Sequence, residues 1–67
     1  MTLKEIKAAV KAGKVVHWAN SRYTVGCVLT GGVHECWFIA CDGGSTIGLT
    51  WVDGVTLNGK PEEFFIG

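Results

Sequence analysis

Apolar residues recur at helical spacing only once in this chain, at its start, and after Gly13 the pattern changes to a period of two. Leu3, Ile6 and Val10 fall on one face at about 100° per residue. Thr2 and Glu5 stand at capping-box spacing, and Gly13 sits where a left-handed C-cap is wanted. The pattern predicts a helix from Leu3 to Ala12. Beyond it, Val15 to Ala19, Arg22 to Thr30, His34 to Cys41, Ser45 to Val52 and Val55 to Leu57 are β-branched and aromatic runs. Their separators, Asn20-Ser21, Gly31-Gly32, Asp42-Gly43-Gly44 and Asp53-Gly54, carry turn chemistry. After Asn58-Gly59, Pro61 leads into Glu62 to Ile66, an edge strand or a docked tail. The fold class is therefore α+β, with one N-terminal amphipathic helix packed on a four- to five-stranded antiparallel meander sheet. Residues 1–67 form a single domain.

The strands do not all read alike. Tyr23, Val25, Cys27 and Leu29 alternate with more polar or smaller residues, as do Ile47, Leu49 and Trp51, so each of these runs has one wet face. Trp37, Phe38, Ile39, Ala40 and Cys41 instead offer apolar groups to both sides, which a strand does only where both faces are covered. The helix supplies one cover. Either the sheet curls over itself or a second copy supplies the other, and a homodimer would also relieve the size problem. A chain of 67 residues buries only about 60% of its unfolded surface. Trp37, Phe38 and Trp51, embedded in strand runs, are expected in the core.

Charge changes the picture next. Lys4, Lys7, Lys11 and Lys14 recur at steps of three and four, which on a helix makes one stripe. Through Arg22 the chain carries a net +4 and from Tyr23 onward a net −4, an asymmetry concealed by zero overall charge that points to a charged partner. The stripe lies beside the Leu3/Ile6/Val10 face, so the lysines border whatever the helix packs on. One explanation is a solvated edge whose stems cover the core. The other is a binding surface of Lys4, Lys7, Lys11, Lys14, His17, Trp18, Arg22 and Tyr23. Lysines beside aromatics suit a protein with an acidic patch, and equally nucleotides or single-stranded nucleic acid. A pI near neutrality lacks the overall basic footprint of a general nucleic-acid binder.

Other chemistry is weakly signalled. Cys27, Cys36 and Cys41 are odd in number, which fits free thiols in a reducing compartment, and the cytoplasm is expected. Neither secretion nor membrane insertion is indicated. The Cys36–Cys41 spacing suits no structural zinc, so neither a metal nor another cofactor is expected. The Gly43–Gly48 segment resembles a phosphate loop in composition alone, since no helix is expected after it. Glu62 and Glu63 are adjacent and would point to opposite sides of an extended chain, so they cannot cooperate as acid and base. The expectation is a non-enzymatic protein.

Two stretches carry a resemblance. Ile47 to Phe65, reading IGLTWVDGVTLNGKPEEFF, and Leu3 to Val16, reading LKEIKAAVKAGKVV, resemble uncharacterised small proteins encoded by bacteriophages and prophages. The helix followed by Ala12-Gly13-Lys14, a strand and Trp18 is also similar to the start of the phage family that sequesters the Thoeris cyclic-nucleotide signal. The spacing to the tryptophan and the shorter second half depart from that family, so no binding residue is carried over. The resemblance implies a phage accessory protein that acts on host machinery or host defence by stoichiometric binding, and the function expected is inhibition of a host component such as a CRISPR complex. The alternative it leaves open is a nucleotide-signal sponge.

Overall fold

Helix α1 spans Leu3–Lys11 and begins where the capping box puts it. The Thr2 hydroxyl accepts the Glu5 N–H at 3.3 Å and the Glu5 carboxylate accepts the Thr2 N–H at 2.8 Å. At the other end Gly13 adopts φ +84°, its N–H donating to the Val10 carbonyl and the Lys14 N–H to that of Ala9, each at 3.0 Å. This is the Schellman closure that a glycine permits. It places Lys14 beyond the helix. The stripe is therefore three helical lysines and one on the following turn.

The computed structural model describes residues 1–67. Strands β1 (Val16–Trp18), β2 (Asn20–Thr30), β3 (His34–Cys41), β4 (Thr46–Gly48) and β5 (Phe64–Ile66) form one antiparallel sheet in the order β4-β3-β2-β1-β5. The first four strands meander. The chain then crosses the helix-covered side of the sheet and returns, through a 3-10 turn at Pro61–Glu63, as an edge strand beside β1. Between β1 and β2 the link is short: Trp18 faces Asn20 across it, and Ala19 takes a left-handed φ of 63°. The Met1 ammonium donates to the Pro61 carbonyl at 2.6 Å, tying the helix start to this return.

All seven buried residues, Ile6, Ala9, Val16, Val25, Ile39, Leu49 and Phe64, lie between α1, the crossover and one face of the sheet. Leu3, Val10, Trp18, Tyr23, Trp37 and Leu57 are among the half-buried side chains that pack around them. Burying each large aliphatic side chain contributes about 1.5–3 kcal/mol, so most of the stability resides on this side.

The opposite face is open. One registered row, Phe65–His17–Thr24–Ala40–Thr46, spans all five strands. Next to it Phe38 stands between Gly26 and Gly48, and beyond that Val28 faces Cys36. Phe38 is thus not a core residue. It lies half-buried with its ring over Gly26, where an added Cβ would come within 2.5 Å of the ring. No helix or strand of the chain covers this face, so the two-sided apolar character of β3 is real but satisfied on one side only.

Two further expectations are corrected. The predicted Ser45–Val52 strand ends at Gly48, where the chain bends at the fully buried Leu49 and the ladder with β3 stops. The Val55–Leu57 run pairs only through an isolated Thr50–Leu57 bridge. Trp51 therefore falls on a loop rather than a strand and is 63% exposed, not core.

Candidate functional site

The lysine row meets the sheet through two residues of β3. The Lys7 ammonium sits 5.5 Å from the centre of the Trp37 ring, and Lys11 pairs with Glu35 at 2.9 Å. Trp37 donates its indole N–H to the same Glu35 carboxylate at 3.2 Å. The Lys11 ammonium first, and then the Trp37 indole, hold the Glu35 carboxyl below the usual carboxylate range. An exposed pair of this kind contributes little and is readily exchanged for another partner. Lys4 and Lys14 are exposed and make no ion pair.

The aromatics predicted to join that row lie elsewhere. Trp18 and Tyr23 meet edge to face, 5.0 Å between ring centres, and Trp18 also packs on Phe64. The Trp18 indole donates to Glu63 at 3.3 Å. With Ile39, Cys41, Ser45 and Ile47 these two aromatics line a cleft of about 390 Å³ that contains no charged side chain. His17 is on the open face, donating Nδ1–H to the Tyr23 carbonyl at 3.0 Å and packing against Phe65. Arg22 is exposed and unpaired. The structure thus brings Trp18 and Tyr23 together, keeps Lys7 and Lys11 together, and sets His17 and Arg22 apart from both groups.

A third feature escaped the sequence reading. Residues 49–58 form a hairpin loop whose tip presents Trp51, Val52 and Val55 to solvent, with Val52 fully exposed and Val55 72% exposed. The backbone of this tip is locked. Asp53 accepts the N–H groups of Val55 and Thr56, each at 3.0 Å, and the Thr56 hydroxyl at 2.6 Å. Trp51 N–H donates to the Thr56 carbonyl and Gly54 N–H to that of Trp51, each at 2.9 Å. At the base Asn58 bonds to Leu49 through its N–H and to the Gly48 carbonyl through its side chain. Trp51 is also the one tryptophan whose indole N–H has no partner in the chain, whereas Trp18 and Trp37 each reach a glutamate. The available signal was the Asp53-Gly54-Val55-Thr56 segment, whose spacing suits an aspartate turn closed by threonine.

The Asp53 carboxyl is held below the usual Asp range, first by the Thr56 hydroxyl and then by the Thr56 and Val55 N–H groups. A folded value below the unfolded one means that the closed tip favours the charged form. Its contribution is complete above the ordinary Asp value of about 3.9 and is lost as pH falls through the lower folded value. Acidification below about pH 4 is expected to open the tip before the core yields. The protection of the Val55 and Thr56 amides, their exchange measured against the unstructured rate at the same pH, should be lost there, while Asp53→Ala should leave both amides unprotected at every pH.

Cys27 and Cys41 are half-buried free thiols, and the exposed Cys36 lies 3.2 Å from the Thr30 hydroxyl. No three His, Cys, Asp or Glu side chains converge to hold a metal ion. No helix is long and apolar enough to cross a membrane. No family model, curated protein or solved structure matches the chain.

Proposed function

We propose that this chain is a non-enzymatic accessory protein of the phage type that binds and inhibits a host protein in the cytoplasm. The resemblance implies host machinery or host defence as the setting, and a defence component such as a CRISPR complex is the target we propose within it. The observation carrying this reading is the locked tip: a small domain with seven buried residues leaves an indole and two valines in water on a backbone already ordered. An exposed apolar cluster of this kind costs solubility and gains the fold nothing, so it is best explained by a partner. Tryptophan is the residue type most enriched at binding hot spots, and a preordered loop loses little entropy on docking. The lysine row supplies long-range attraction toward an acidic surface. We also propose that the protein is a homodimer, because one face of a strand that is apolar on both sides is left open.

The Trp18–Tyr23 cleft favours a second reading, a nucleotide-signal sponge, since its volume suits a base and its walls are aromatic. Phosphates, however, would meet no cation there. The two readings separate on one purification from host lysate. A protein inhibitor is expected to retain one host protein, with retention falling as salt rises and falling further for Lys4→Glu combined with Lys14→Glu. These two lysines are the clean choice, because Lys7 and Lys11 already touch β3. A purified chain that carries a 260 nm chromophore and retains no protein would instead make it a sponge.

A further inference from the structure

We propose that the open face of the sheet is where a second copy of this chain packs, sheet against sheet, centred on Phe38, Val28 and Cys36. This names the surface for the homodimer proposed above and rests on that reading. The need for cover is greatest at the β2–β3 hairpin. β1 pairs with β2 no further than Thr24, and β4 pairs with β3 no further than Phe38. Val28–Thr30 and His34–Cys36 therefore form a ribbon of two strands. Such a ribbon is marginal by itself and needs a third strand or a packed face. On the helix side Lys7 and Lys11 lie over Trp37 and Glu35. On the open side Val28 is 52% exposed and Cys36 is exposed.

Three properties of the face select a second copy over another occupant. The first is charge. A two-fold contact sets each residue against its own patch, so a charged centre would meet its own sign. From the Phe65–Thr46 row to Thr30–His34 this face contains no Lys, Asp or Glu, and Arg22 and Asp42, whose N–H donates to the Arg22 carbonyl, stand together at one corner. The second is shape. Phe38 leans over Gly26, its neighbours along β3 on this face are the small Cys36 and Ala40, and on its other flank the Thr50 carbonyl lies close over Gly48. A bulky ring thus sits beside small side chains in one patch, the arrangement a self-complementary surface needs. The third is area. Strands about 4.8 Å apart and registered rows rising about 7 Å each give the face a footprint of about 500 Å². Two copies would bury about 1,000 Å², the lower bound for a specific interface, which sets the expectation of a reversible dimer rather than an obligate one.

Sedimentation equilibrium on the full chain, from low micromolar to sub-millimolar concentration, tests this. The wild type is expected to approach dimer mass at the upper end. Val28→Lys and Thr30→Lys, each at an exposed ribbon position, should associate at least about tenfold more weakly with unchanged circular dichroism, since each lysine faces its own kind. Iodoacetamide modification of Cys36, read by peptide mass, should slow as wild-type concentration rises and stay constant in Val28→Lys. Monomer mass at every concentration would overturn both the dimer and its surface. Dimers in all three proteins, with Cys36 equally reactive throughout, would overturn the surface alone and leave the dimer standing.

Discussion

Trp51→Ala should weaken binding of the retained host protein by about thirtyfold or more while leaving the thermal midpoint within a degree or two of wild type. The magnitude follows from truncating a hot-spot indole, about 2 kcal/mol or more, where each 1.4 kcal/mol is tenfold in affinity. The unchanged midpoint follows from position. Trp51 is 63% exposed, its indole bonds to nothing in the chain, and its backbone bonds to Thr56 and Gly54 survive the substitution. Titration calorimetry against that host protein, with Val52→Ala and Asp53→Ala alongside, reads both parts. Asp53→Ala keeps the indole but frees the loop, so it should cost less than Trp51→Ala through lost preorganisation alone. Wild-type affinity in Trp51→Ala would remove the tip from the mechanism.

Ile6→Ala should unfold the chain or lower its midpoint by more than 10 °C, an effect that concerns the fold and no partner. Ile6 is fully buried and anchors α1 onto Val16, Val25 and Ile39. Truncating a buried isoleucine to alanine costs about 2–5 kcal/mol, and a core in a domain of this size rarely supplies more than about 3–5 kcal/mol in total. Alanine is the better helix former, so any loss must come from packing rather than from the helix itself. At about 4–8 °C per kcal/mol for a domain this small, the midpoint shift is well outside error in a thermal melt. A shift under a few degrees would mean that the helix is dispensable to the sheet.

What was legible in the chain was legible for local reasons. Thr2, Glu5 and Gly13 bracket α1 because caps act on neighbouring backbone groups. β2 and β3 appear where alternation and turn glycines place them, because side-chain period and turn geometry need no distant residue. The run apolar on both sides showed that β3 needs a second cover and left a curled sheet or a second copy to supply it; the sheet does not close, since β4 and β5 remain its two edges.

Tertiary structure decided the rest. The chain bends at Leu49, which joins the core with Ile6 and Ala9, β4 ends at Gly48, and Trp51 lies in solvent though its run reads as strand. Burial of Leu49 in a core shared with Ile6, 43 residues earlier in sequence, outweighed local β propensity, and no short window of sequence holds both partners. The return of β5 to pair with β1 is likewise long-range, and it carries Glu63 to the Trp18 indole. The composite site of Lys4, Lys7, Lys11, Lys14, His17, Trp18, Arg22 and Tyr23 divides because adjacent strand residues point to opposite faces, so His17 and Trp18 part company at once. Sequence by itself determined the helix, the alternating strands and the charge asymmetry, each set by neighbours along the chain. Which aromatic groups stay in water was decided only when distant segments competed for one small core.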